Sequence, residues 1–177
     1  ISTNLDRYVK KIASNFKLKF GFSSSNYKNI VNTTSRKITS KNYNYGIELR
    51  SGFSGFFNYH VGLNWSTYKI AAAIKRSYTN NTSFIDLVFV MNDKFNFDIQ
   101  AERYYFGNID KKNSTYYFAD LNARYTVKEN KLSFSLSGKN LFNIEKFKEF
   151  SISDIGSSTT EYRLLPRFIL LKINYRF

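Results

Sequence analysis

The chain has 177 residues and carries 27 Lys and Arg against 13 Asp and Glu, a net charge of +14, with one His, one Pro and no Cys. The lack of cysteine excludes a disulfide framework and a thiolate metal site, and no apolar run reaches the roughly 18 residues of a membrane helix. The basic excess points either to an acidic partner such as nucleic acid or an anionic membrane surface, or simply to a composition also crowded with Asn and Ile.

In chain order, a period-two alternation returns again and again, the pattern of strands with one apolar and one polar face; 18 Phe, 14 Tyr and a single Pro suit long strands. In NFKLKFGFS, Phe16, Leu18, Phe20 and Phe22 share a face opposite Lys17, Lys19 and Gly21. NYNYGIELR sets Tyr43, Tyr45, Ile47 and Leu49 against Asn44, Gly46, Glu48 and Arg50. FFNYHVGLNWS sets Phe57, Tyr59, Val61, Leu63 and Trp65 against Asn58, His60, Gly62 and Asn64. YKIAAAIKR reads equally as a helical turn, a loop or a strand extension, since its alanines favour helix. SFIDLVFV is apolar on both faces except at Asp86, which leaves its orientation open.

KFNFDIQAE turns Phe95, Phe97, Ile99 and Ala101 away from Asn96, Asp98, Gln100 and Glu102. YYFADLNARYTV separates Tyr117, Ala119, Leu121, Ala123 and Tyr125 from Asp120, Asn122 and Arg124, and KLSFSLS separates Leu132, Phe134 and Leu136 from three serines. At the end of the chain Ile169, Leu171, Ile173, Tyr175 and Phe177 alternate with Lys172, Asn174 and Arg176. Eight strands and no clear helix are predicted.

The connections alternate as regularly as the residues. SGFSG, MNDK and KEN are short and rich in turn formers, whereas 24–40, 68–81, 107–115 and 141–162 read as long polar loops. Tight turns on the periplasmic side and long loops outside characterise transmembrane barrels. Tyr43, Trp65, Tyr117, Tyr125 and Tyr175 gather near strand ends, where aromatic girdles form, and the strands approach the roughly 9–11 residues a tilted membrane strand needs. The expectation is an all-β fold over a single domain, 1–177: an antiparallel up-and-down transmembrane β-barrel segment of about eight strands. A soluble sheet with one buried face has the same period and is the less favoured alternative.

If the apolar face meets lipid, Glu48, Arg50, His60, Asp98, Glu102, Asp120 and Arg124 face the lumen. Buried charges are normally paired, so these are expected to form a ladder that holds the wall rather than a ligand path. His60 reads as a wall residue near the periplasmic end, hydrogen-bonded to a neighbour. GFSGF does not match the Gly-x-Ser-x-Gly elbow, and no phosphate loop or metal-ligand cluster is recognisable, so no catalytic residue, metal or cofactor is predicted.

LSFSLSGKNLFN, with Asn140, Leu141, Phe142 and Asn143 at its end, resembles the penultimate-strand signature of TonB-dependent outer-membrane receptors. YRLLPRFILLKINYRF resembles the last strand of the same receptors, especially those of Bacteroidetes that carry a carboxypeptidase-regulatory-like domain, and NDKFNFDIQAERYYFGN is similar to their barrels. The resemblance implies that Phe177, Tyr175 and Ile173 form the signal read by the barrel-assembly machinery. It also implies that the whole protein imports a nutrient with energy passed through the TonB complex. Such receptors have about 22 strands and a plugged lumen. Eight strands with no recognisable plug, TonB box or signal peptide read as a C-terminal barrel segment of one, whose missing N-terminal part would meet TonB.

The alternatives are a self-contained eight-stranded outer-membrane barrel, acting as an adhesin, an anchor or a lipid-modifying enzyme, and a soluble β-rich protein binding single-stranded nucleic acid. The last would require aromatics and lysines to share a face, and they are expected on opposite faces. The loop cations Lys28, Arg36, Lys37, Lys41, Lys69, Lys75, Arg76, Lys111, Lys112, Lys146 and Lys148 are expected to meet solvent or the phosphates of lipopolysaccharide. The expected partners are therefore outer-membrane lipid, the assembly machinery and an unidentified nutrient, and no nucleic acid.

Overall fold

The computed structural model describes residues 1–52, 55–72, 75–107, 114–128, 131–153 and 156–176. Eleven strands are present there: β1 (Ser2–Val9), β2 (Ser14–Val31), β3 (Thr34–Ser51), β4 (Phe57–Ala71), β5 (Lys75–Val90), β6 (Phe95–Phe106), β7 (Thr115–Lys128), β8 (Leu132–Lys139), β9 (Lys146–Ile152), β10 (Ser157–Arg163) and β11 (Phe168–Tyr175). Nine form one antiparallel up-and-down sheet in the order β1-β2-β3-β4-β5-β6-β7-β8-β11, and β9 and β10 pair only with each other. The sheet is open: β1 and β11 each have one neighbour. Because nine strands alternate in direction, these two edge strands run the same way.

All eight predicted strands are present, but the count was one short for the sheet and omitted the β9–β10 hairpin. β1 has no apolar alternation, since STNLDRYV offers only Leu5, Tyr8 and Val9. The stretch 24–40 is not a loop: β2 and β3 pair without a break from Ser14↔Ser51 to Val31↔Thr34. The connection is Asn32 and Thr33, with φ of 49° and 65°, the paired left-handed residues of a two-residue hairpin turn. Tyr68–Ala71 and Lys75–Arg76 extend β4 and β5, so of the three alternatives for YKIAAAIKR the strand extension holds among the described residues; 73 and 74 lie outside them.

The expected short connections do lie together at one end. In MNDK, the Asn92 side-chain oxygen accepts from the backbone N–H groups of Lys94 (2.9 Å) and Phe95 (2.8 Å), closing the turn. Residues 53, 54, 129 and 130 of the other two are outside the described set.

Register fixes the faces. Residues directly opposite each other point to the same side of a sheet, and the row Phe16↔Leu49↔Val61↔Ile85↔Ala101↔Ala119 is apolar across six strands. Two rows further towards the short turns, Phe57↔Phe89↔Phe97↔Ala123↔Leu136↔Leu171 continues the same face. This face, called A, carries Ile85, Leu87 and Phe89 on β5 and settles the orientation of SFIDLVFV: Phe84, Asp86 and Val88 turn to the opposite face, B.

The apolar part of face A is an oblique band. On β2 it runs from Phe16 to Phe22; on β11 its outermost residue is Ile169, in the row of Gly138, Leu121, Ile99, Leu87 and Tyr59. Tyr59 is level with Ser14, whose hydroxyl lies 2.7 Å from the Tyr59 hydroxyl. The band has therefore slipped from residue 22 to the level of residue 14 over the seven steps from β2 to β11. At about 3.3 Å per residue and about 4.8 Å per strand, that is about 26 Å against about 34 Å, an inclination of about 38°. Arg7, level with Phe16 one strand before β2, falls at the margin of a band so inclined.

Aromatic rings edge the band. At the outer margin Phe22 and Tyr43 lie 5.0 Å apart and Tyr45 stacks on Trp65 at 5.4 Å. Towards the short turns Phe89 stacks on Phe97 at 4.5 Å and meets the tilted ring of Phe57 at 4.8 Å.

Candidate functional site

The seven predicted interior residues, Glu48, Arg50, His60, Asp98, Glu102, Asp120 and Arg124, all lie on face B. One row contains Arg50, His60, Asp86, Gln100 and Asp120, and the next contains Glu48, Gly62, Phe84 and Glu102. Their partners come mostly from adjacent strands. Glu48 pairs with Lys19 of β2, while the two ring nitrogens of His60 lie 3.7 Å from Glu48 and 3.5 Å from Asp86. Asp98 accepts from the Asn122 amide at 2.8 Å, and Asp120 accepts from Lys139 at 2.8 Å. Glu102 accepts from the Tyr104 hydroxyl at 2.7 Å. Glu48, His60, Asp98, Glu102 and Asp120 thus have polar partners on face B, Lys19, Asp86 and Lys139 among them. Phe84 covers Gly62 so closely that an added Cβ would stand 2.4 Å from its ring, and the same ring meets His60 edge-on at 4.8 Å.

Asn140–Asn143 is a knot at the end of the sheet opposite the short turns. Asn140 and Asn143 have φ of 51° and 55°, values that Asn tolerates better than most residues. The Asn140 N–H donates to Asp120 at 2.9 Å, its side-chain oxygen accepts from the Ile144 N–H at 2.9 Å, and its amide donates to the Ile144 and Leu165 carbonyls, both at 2.8 Å. The Asn143 side-chain oxygen accepts from the Arg167 N–H at 2.9 Å. Both stems of the β9–β10 hairpin are thereby tied to β7 through residues that were singled out only by their resemblance to a signature.

The hairpin bends over face B. Phe147 enters a cluster of rings presented by β6 and β7: Tyr104 at 5.7 Å, Phe106 at 5.6 Å, Tyr116 at 5.0 Å and Phe118 at 5.9 Å. Phe106 and Tyr116 are among the few large side chains buried in the molecule. The Lys148 N–H donates to the Tyr116 hydroxyl at 3.2 Å, and Phe150 meets Tyr78 edge-on at 6.3 Å. The other side of the hairpin is open, with every residue of β10 exposed. Lys146 and Lys148 flank Glu161 at 3.4 Å each, and their hydrogen bonds hold its carboxyl below the usual range. The stretch 141–162, expected as a long polar loop, instead carries β9 and the greater part of β10 among the described residues, packed on face B of the sheet.

The remaining predicted residues fall in three places. Ile173 and Tyr175 lie on face A of β11, opposite Phe134 and Leu132. Phe177, Lys111 and Lys112 are outside the described residues. Lys41 and Lys69 share face A with Tyr43, the Lys69 ammonium lying 5.5 Å from the Tyr43 ring; the expected separation of lysines from aromatics fails here and again on face B, where Lys139 stands opposite Phe168. Among the described residues no three His, Asp or Glu side chains converge as metal ligands. Compared with known protein families, with curated proteins and with solved structures, the chain matches none.

Proposed function

We propose that this chain is a stretch of wall from an outer-membrane β-barrel of the TonB-dependent receptor type, whose whole imports a nutrient. The chain contributes wall, outer ribbons and the strand that carries the assembly signal. The observation that carries this is the inclination of the apolar band, about 38°, inside the roughly 35–45° that strands of a closed barrel adopt. A bilayer imposes such a band on tilted strands, because each must present its apolar residues at the same depth whatever its register. β2 and β3, at 18 residues each, are about 60 Å long and overrun the roughly 25 Å apolar height. Their polar outer halves, from Ser24 and to Asn42, would project beyond it.

The odd strand count favours a segment over a small closed barrel. Closing this sheet on itself would pair β1 with β11 in parallel, whereas bacterial single-chain barrels close antiparallel with an even number. Open edges are costly in lipid, where each unsatisfied backbone group costs several kcal/mol, so further strands complete the wall. Cysteines placed singly in residues 168–175 and in residues 2–9, with the chain folded in detergent or vesicles, test this. No intramolecular disulfide is expected; efficient cross-linking in a parallel register would reinstate the self-closed barrel.

A further inference from the structure

We propose that the outer part of β2–β5 on face A docks a phosphorylated, acylated lipid of the surrounding leaflet, with its phosphates on a lysine ladder and an acyl chain in the groove below. The proposal rests on face A being the lipid face. Lys28 stands directly opposite Lys37, Lys41 directly opposite Lys69, and Lys75, opposite Ala71, occupies the row between them. All five lysines lie on face A and all are exposed. Like charges placed directly opposite are destabilising in a strand pair, yet no acidic residue occurs between Asp6 and Glu48 or between Glu48 and Asp86. None of the five makes an ion pair among the described residues. With rows about 7 Å apart, the ladder climbs about 13 Å, and it lacks only an anion.

What lies beneath distinguishes a lipid from other anions. Below the Lys41–Lys69 row come the rings of Phe22, Tyr43, Tyr45 and Trp65. Below these a groove of about 710 Å³ lies along face A, its lining mainly apolar, with Ile47, Leu63, Ile85 and Ala101, and with Arg103 opposite Ser83 at one side. Cations, then aromatics, then an apolar groove follow the polarity of an amphiphile from phosphate to acyl chain. Free phosphate makes no use of the groove, and a nucleic acid makes no use of an apolar channel below the cations.

The test is retention of a labelled diphosphoryl lipid A by the chain in zwitterionic micelles, with insertion into phosphatidylcholine vesicles measured in parallel. Lys41→Ser with Lys69→Ser is expected to weaken retention about 25-fold, roughly fivefold for each lysine, while Arg36→Ser with Arg76→Ser, on face B, leaves it unchanged. Equal retention by the lysine variant, equal loss in the arginine variant, full displacement by inorganic pyrophosphate, or equally tight capture of a single-stranded oligonucleotide would each overturn the proposal. The vesicle arm is independent of the lysines: failure to insert there removes the membrane-wall reading, whereas insertion with lysine-independent retention removes only the lipid site.

Discussion

Replacing Leu121 by Arg separates a lipid-facing band from a packed protein core, because only in lipid does the cost depend on depth. Leu121 stands at the middle of the face-A run on β7, between Ile99 and Gly138. Tyr125, four residues on and on the same face, lies opposite Phe95 and Phe134 at the short-turn margin. Four residues span about 13 Å of strand, and at an inclination of about 38° this is about 10 Å of depth, close to half of a band about 25 Å tall. Arg at position 121 is therefore expected to cost about 2–4 kcal/mol and Arg at position 125 about 0–1 kcal/mol. Asn122→Arg, on face B beside Asp98, should be close to neutral. The assay is the urea-dependent equilibrium of folding into phosphatidylcholine vesicles, followed by the fluorescence of Trp65, the single tryptophan. Equal costs at 121 and 125, or a cost at 122 matching that at 121, would refute the assignment. Leu171→Arg, in the middle of the band on β11, should fall in the same range of about 2–4 kcal/mol.

Three further expectations concern the hairpin. Asn140→Ala removes the bonds to Ile144 and Leu165 and leaves a Cβ-bearing residue at φ 51°, so amide exchange across 146–163 should quicken. Asn140→Gly, which relieves only the backbone, should restore part of the protection, and identical profiles would refute the knot. Phe147→Ala should destabilise the folded-over ribbon by about 1 kcal/mol, less than the value for full burial because Phe147 is half-buried, read as protease cleavage within 146–163 while β4 and β5 remain resistant. Glu161 has a depressed folded-state pKa, so its contribution is present above its unfolded pKa and is lost as pH falls through the folded one. Cleavage of the ribbon should rise on acidification in the native chain and be far less pH-dependent in Glu161→Gln.

Periodicity exposed the sheet because one residue in two is apolar along most of its strands. It missed the outer halves of β2 and β3 because Ser24, Asn26 and Lys28 lie beyond the band and are polar, as are their face-B neighbours Ser23 and Ser25. Asn32–Thr33 escaped notice because the turn uses left-handed residues without glycine. The charged residues of face B were legible as a face, but their partners were not: Lys19 meets Glu48 from 29 positions away and Lys139 meets Asp120 from 19. Asn140 was marked by resemblance, while its role depends on Asp120 and Leu165, distances along the chain that no local pattern spans.

The central claim, that face A meets lipid along an oblique band, is tested most directly by spin labels placed one at a time along residues 15–23, 116–126 and 168–175 of the chain in vesicles. Accessibility to oxygen should peak at odd positions on β7 and β11 and at even positions on β2, out of phase with a water-soluble relaxant, with the deepest label shifted towards the short turns by about one residue per strand. Face-A labels shielded from both reagents, or a depth maximum that stays in one hydrogen-bonded row from β2 to β11, would mean that this face is the core of a soluble sheet.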